Sequence, residues 1–149
     1  MKYVEYRVTF AEIPDEISLC INISGCENSC IGCHSPWLQK DIGFELHSIE
    51  LIELISKNQG ITCVCLMGGD SDPTSINELA ITIKNLGLKS AWYSGKQELA
   101  KEINIANFDY IKLGPYLEEF GPLTIPITNQ RLYKIEDSKM IDITYKFWK

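Results

Sequence analysis

The sequence predicts an α/β domain built on a mostly parallel sheet, with a separate strand pair at its C-terminal end. Three observations carry this expectation. Apolar strand-like runs alternate with helical patterns between residues 18 and 113, the order that builds βαβ units. Glycine-bearing segments follow the ends of those runs: Gly68-Gly69-Asp70, Tyr93-Ser94-Gly95 and Gly114-Pro115. The 149 residues suffice for one core but fall short of the roughly 250 of a closed (β/α)8 barrel, so one domain over 1–149 is expected.

Residues 3–10 have strand-forming composition, and Pro14-Asp15-Glu16 reads as a turn. Residues 18–24 form the next strand and run directly into a cysteine-bearing loop. A helix is predicted over 48–58, with Ser48 as N-cap, a stripe of Ile49, Ile52 and Ile55, and Gly60 as its stop. A short buried strand over 61–67 follows. In the next helix Ser75-Ile76-Asn77-Glu78 fits a capping box, Ile76, Leu79, Ala80 and Ile83 share a face, and Gly87 closes it. A strand over 88–93, a shorter helix over 97–104 with Leu99, Ala100 and Ile103 inward, and a strand over 109–113 complete the alternation. Two further strands, 132–135 and 141–147, flank the turn Glu136-Asp137-Ser138-Lys139. In the second, Ile141, Ile143, Tyr145 and Phe147 alternate with Asp142, Thr144 and Lys146.

Composition narrows the function classes. Hydrophobic residues make up 45% and charged residues 23%, as in an ordinary globular domain. No apolar run approaches the roughly 18 residues of a membrane span, so no membrane partner is expected. Net charge is −6 and no basic stripe is present, which argues against nucleic acid as a partner. The N-terminus lacks the basic-then-apolar pattern of a signal peptide, and six cysteines without an export signal suit a reducing, cytoplasmic location. Cys20, Cys63 and Cys65 lie in apolar runs and read as small core residues, although Cys63 and Cys65 share a strand face where a second metal site is conceivable.

The chemistry concentrates in one loop. Cys26, Cys30 and Cys33 fall in the run Ser24-Gly25-Cys26-Glu27-Asn28-Ser29-Cys30-Ile31-Gly32-Cys33-His34-Ser35-Pro36, a C-x3-C-x2-C spacing with no obvious fourth thiolate. Four would complete a structural zinc site or an electron-transfer cluster. Three leave one iron of a four-iron cluster without a protein ligand, free to hold a reactant. Gly68-Gly69-Asp70 sets two residues without Cβ beside one carboxylate, which lets backbone approach a ligand and lets Asp70 pair with an ammonium group. At about 4 Å and an effective dielectric near 20 such a pair interacts by roughly 4 kcal/mol before desolvation. In α/β sheets ligands bind at the carboxyl edge, and all four unusual segments follow expected parallel strands.

These segments resemble the radical S-adenosylmethionine enzymes. More narrowly, the chain is similar to the activating proteins of anaerobic ribonucleoside-triphosphate reductase. The resemblance rests on Cys30-Ile31-Gly32-Cys33-His34-Ser35-Pro36 with Trp37, then Met67-Gly68-Gly69-Asp70, Tyr93-Ser94-Gly95, Gly114-Pro115-Tyr116-Leu117-Glu118-Glu119 and Thr128-Asn129-Gln130-Arg131. It implies a partial, open radical-SAM-type (β/α) barrel. It further implies that Cys26, Cys30 and Cys33 ligate three irons of a 4Fe-4S cluster, with the fourth chelated by the amino and carboxylate groups of S-adenosyl-L-methionine. Gly68, Gly69 and Asp70 would contact the methionyl end, and Tyr93 and Ser94 would face the cofactor. Reductive cleavage, fed by an electron donor, would give a 5′-deoxyadenosyl radical that takes hydrogen from a glycine Cα of the reductase. No catalytic side chain beyond the cluster and cofactor is implied.

The chain departs from the family pattern in carrying Asp70 where Glu is commoner, one methylene shorter in reach, and in lacking a glycine-rich turn at Ile13-Pro14-Asp15-Glu16. Other readings predict different chemistry: a small radical SAM enzyme acting on a metabolite or another glycyl-radical protein, or a non-catalytic metal-binding module. His34, next to Cys33, reads as a hydrogen-bonding neighbour of the cluster loop or a simply exposed residue rather than a fourth ligand, and His47 as a surface or capping residue. Trp37 reads as a shield or simple packing, Trp92 as core, and Glu118 and Glu119 as a solvated acidic face. Tyr145, Phe147 and Trp148 read as sheet packing or a partner patch.

Overall fold

A computed structural model describes residues 1–148 of the chain. Eight strands form one sheet: β1 (Lys2–Thr9), β2 (Ser18–Ile23), β3 (Phe44–Glu45), β4 (Cys63–Met67), β5 (Lys89–Tyr93), β6 (Tyr110–Leu113), β7 (Arg131–Glu136) and β8 (Lys139–Asp142). Two helices, α1 (Ser48–Lys57) and α2 (Pro73–Asn85), lie in the β2–β4 and β4–β5 connections. The spatial order is β3-β1-β2-β4-β5-β6-β7-β8. The α/β class holds, but the expectation of a mostly parallel sheet does not: β2, β4, β5 and β6 pair in parallel, and the other four of the seven pairings are antiparallel. The reason is local. The β1–β2 and β7–β8 connections are too short for the crossover of a dozen or more residues that a parallel pairing needs, so those strands double back.

Alternation along the central strands separates two cores. Leu19, Ile21, Ile23, Val64, Leu66, Trp92 and Ile111 face the helices and pack with Leu51, Leu54, Ile76, Leu79 and Ile83. The intervening residues Cys20, Cys63, Cys65, Ala91 and Tyr110 point to the other face, where Ile13, Leu132 and Ile143 cover them. Cys20, Cys63 and Cys65 are therefore the buried core thiols their apolar runs suggest. Trp92 is buried too and rests against Phe108.

Several element expectations need correction. α1 buries Leu51 and Leu54, while Ile49 and Ile52 are exposed and only Ile55 is partly covered. Its N-cap is His47, whose backbone N–H donates to the Glu50 carboxylate at 2.9 Å, rather than Ser48. α2 starts one turn before the Ser75 capping box. Asp72 is the N-cap and Pro73 opens the helix; Ser75 donates its backbone N–H (3.1 Å) and hydroxyl (2.6 Å) to Asp72.

The expected helix over 97–104 does not form. That segment is turns, although Ile103 is buried and Leu99 and Ala100 still pack on the core. Asn77 of α2 competes for its backbone, donating to the Glu102 carbonyl and accepting from Asn104 N–H. An eight-residue segment gains little from helix propagation alone, so these tertiary bonds decide its backbone. The strand expected over 141–147 stops at Asp142, because the Asp142 carboxylate accepts from both the N–H (2.9 Å) and hydroxyl (2.6 Å) of Thr144 and folds 144–147 into a 3-10 turn.

At the amino ends of the parallel strands a buried carboxylate ties the β1–β2 connection to the sheet. Glu16 accepts from Thr62 at 2.6 Å, from Tyr110 at 2.9 Å and from Lys89. Burial pushes its carboxyl up, but the hydrogen bonds of Lys89, Thr62 and Tyr110 outweigh it and hold it below the usual carboxylate range. A carboxyl depressed by folding stabilises the protein above its unfolded pKa and loses that contribution as pH falls through the folded value. Glu16→Gln is expected to cost about 1.5–3 kcal/mol at neutral pH, the range for hydrogen bonds to a charged group. Urea titrations at pH 7 and pH 3 check this: the gap between wild type and variant should narrow at the lower pH.

Candidate functional site

The four parallel strands end on the same edge of the sheet, and each is followed by one of the segments singled out above. The cysteine loop leaves β2 and is closed at its base by backbone. Gly25 N–H donates to the Lys40 carbonyl (3.1 Å), Cys26 N–H to the Leu38 carbonyl (2.9 Å), and Ser24 Oγ to the Ile42 carbonyl (2.6 Å). Gly68 and Gly69 leave β4 at φ of +103° and +81°, which glycine alone adopts without strain. A Cβ at Gly69 would stand 2.6 Å from Ile76 Cδ1, so hydrogen at this position lets α2 seat against the strand end.

A cavity of about 220 Å³ opens at this edge. Of the eight site residues expected from sequence, Cys26, Cys30, Cys33, Gly68, Asp70, Tyr93 and Ser94 line it. Gly69 does not; it faces Ile76 and serves packing. Tyr93 presents its ring to the cavity, while its hydroxyl is committed to the Glu12 carbonyl and burial pushes its pKa up. An adjoining cavity of about 320 Å³ shares Cys30, Cys33, Tyr93, Lys112, Tyr116 and Gln130, and adds His34. The His34 ring stands 5.7 Å from that of Tyr116.

Hydrogen bonds run laterally across the strand ends. Asn28 of the cysteine loop donates to Asp70 Oδ2 at 2.8 Å, Gly95 N–H donates to the same oxygen at 2.9 Å, and Ser94 Oγ donates to Oδ1. Lys112, at the end of β6, donates to the carbonyls of Ser94 (3.3 Å) and Gly114 (2.7 Å). Asn129 donates to the Pro115 carbonyl at 3.0 Å. Asp70 is thus oriented by three donors and Lys112 by two acceptors. Lys112 is buried, and that burial brings its ammonium down to about 8 despite the nearby Asp70. It is the only cation among the residues lining the first cavity.

Thiolates suit both zinc and iron–sulfur clusters. Two donors approach these sulfurs: Ser35 N–H reaches Cys33 Sγ at 3.4 Å, and the Asn28 amide lies 3.7 Å from Cys26 Sγ. Outer hydrogen bonds of this kind orient a metal-bound sulfur. Among the described residues no three His, Cys, Asp or Glu side chains gather closely enough to hold one metal ion. A closed zinc site needs ligands around a single ion. The cysteines of a cluster bind separate irons, so they need only border a common space, as these three do. The donor set fits a cluster.

Asn28, Lys112, Tyr116 and Gln130 belong to the site and were not singled out for it from sequence. Asn28 could have been found, since it sits between the first two cysteines. Lys112 interrupts an otherwise apolar strand one residue from the turn at Gly114, which is also a signal. Of the segment Thr128-Asn129-Gln130-Arg131, Asn129 anchors Pro115, Gln130 lines the cavity, and Arg131 donates to the carbonyls of Thr128 and Gln130. Trp37 is exposed on a 3-10 turn and does not border the cavity.

Gly69→Ala tests the strand-end packing against backbone strain alone. Gly60 has a similar φ of +86° but open space where a Cβ would go. Gly60→Ala is expected to cost about 1 kcal/mol and Gly69→Ala about 1–3 kcal/mol more, as measured by urea unfolding.

Among the described residues no helix is long and apolar enough to cross a membrane. No family model, curated protein or solved structure matches the chain.

Proposed function

We propose that this chain is a radical S-adenosylmethionine activase that installs a glycyl radical on an anaerobic ribonucleoside-triphosphate reductase in a reducing cytoplasm. The observation that carries the proposal is the convergence of three thiols from one loop with a glycine-and-carboxylate strand end in one cavity. In this reading the open sheet is a partial barrel whose uncovered side admits the partner. An interface of standard size would bury about 800 Å² on each protein.

Cys26, Cys30 and Cys33 would hold three irons of a 4Fe-4S cluster and leave the fourth for the amino and carboxylate groups of S-adenosylmethionine. When bound, the pair supplies reductive cleavage of the sulfonium, powered by an external electron donor, and with it the capacity to take hydrogen from a glycine Cα. The chain's own residues bind and orient. Asp70 presents a carboxylate to the methionyl ammonium, and its three donors from Asn28, Ser94 and Gly95 keep it from swinging away, so little order is lost on binding. The shorter reach of Asp relative to Glu is compatible with this fixed position. Gly68 exposes backbone without a side chain in the way. Lys112 sets a buried positive charge beside Cys30 and Asp70, suited to a cavity that must accept anionic groups. Met67, Tyr93 and Tyr116 shield the space from water.

Anaerobic reconstitution with iron and sulfide, then dithionite and S-adenosylmethionine, should yield 5′-deoxyadenosine. Cys30→Ser should abolish it, whereas Cys63→Ser, on the core face of β4, should largely retain it. Equal loss in both would overturn the division of the cysteines. Asp70→Asn should weaken S-adenosylmethionine binding about 30-fold or more, read by equilibrium dialysis, as expected for truncating one partner of a desolvated charge pair. Formation of a glycyl radical on the cognate reductase, seen by electron paramagnetic resonance, tests the identity of the partner.

A further inference from the structure

A second groove, of about 490 Å³, runs between residues 28–31 of the cysteine loop and residues 115–119 beyond β6. It shares Asn28, Ser29, Cys30 and Tyr116 with the cavity described above, so the two adjoin and Cys30 borders both. Its lining is mainly apolar, and its lips carry Ile31, 84% exposed, and Leu117. Glu118 and Glu119 line the same groove. Like several other carboxylates of the chain, neither is paired with a lysine or arginine among the described residues; what sets these two apart is their place in the groove beside Cys30. The Glu118 carboxylate leans over the cysteine loop: a Cβ at Gly32 would lie 3.8 Å from Glu118 Cδ.

We propose that this groove is the entry channel for an extended polypeptide segment with apolar side chains and flanking basic residues, and that Glu118 and Glu119 select it by charge. The proposal rests on the activase reading and specifies how its protein substrate reaches the site. The apolar lips bury aliphatic side chains. The two free carboxylates complement arginine or lysine and repel phosphate-bearing or acidic ligands. The chain's net charge of −6 acts in the same sense at long range. Because the groove leads to Cys30, a segment lying in it is carried past the proposed cluster.

The test uses two fluorescent decapeptides with a central glycine and leucine or valine neighbours, one ending in arginines and the other in the neutral isostere citrulline. Binding to the reconstituted full-length protein is followed by anisotropy at low and high salt. The arginine peptide should bind about three- to tenfold tighter, the range for two partly exposed ion pairs, and this advantage should shrink with salt. Glu118→Gln with Glu119→Gln should erase the advantage while leaving the citrulline peptide's affinity unchanged. Glu118→Lys with Glu119→Lys should reverse it, favouring a peptide ending in glutamates. Equal affinity of wild type for both peptides, or a preference that survives the glutamine pair, overturns the proposal. Failure of wild type to release 5′-deoxyadenosine under reduction would count against the activase reading instead, and peptide selectivity is measured without reductant.

Discussion

A lateral hydrogen-bond chain across four strand ends organises this molecule. It passes from Asn28 to Asp70, from Asp70 to Ser94 and Gly95, and through Lys112 to Gly114. Parallel strands make such a chain possible because their carboxyl ends fall on one edge, where each connection must turn away from the sheet. Sequence-distant segments then meet without long loops. The cost is two buried or half-buried charged groups, Asp70 and Lys112, each of which needs its own partners. Both have them, which leaves the cavity with one fixed negative and one fixed positive group at its wall.

The opposite edge is built for a different purpose. There Glu16 gathers Thr62, Lys89 and Tyr110 from three neighbouring strands or their approaches, and Ile13 closes the core face beside it. Those groups satisfy one another and leave little for a ligand. The sheet therefore has a closed, self-satisfied end and an open end with polar groups turned toward a cavity. Only the open end combines thiols, carboxylate, ammonium and backbone without side chains.

Much of this was legible in the residues. The central strands, α2 and the two-faced packing follow from alternation and from glycine at strand ends, and the convergence of the cysteine loop with Asp70, Tyr93 and Ser94 follows from parallel pairing. The flanks were harder to read. Strand direction at β1, β7 and β8 is set by connections whose length does not announce whether a chain doubles back. In α1 the isoleucines at 49, 52 and 55 and the leucines at 51 and 54 offer two competing stripes, and packing under the helix chose the leucines. The segment at 97–104 kept its inward apolar residues yet lost its helix to Asn77, a tertiary competitor that no local pattern reveals. Lys112 is hidden in a strand whose overall composition is apolar, and only its burial near the strand's end marks it out.

The three thiols behind the cavity have a further consequence. Burial is the first cause that pushes Cys63 and Cys65 up, and Cys20 is buried beside them. A thiol that stays protonated is a poor nucleophile and a poor metal ligand. Packing alone therefore divides six chemically identical side chains into three sealed in the core and three that border the cavity. On the activase reading, metal offered to the folded protein would meet a single accessible set of sulfurs, and its delivery would need no further source of selectivity.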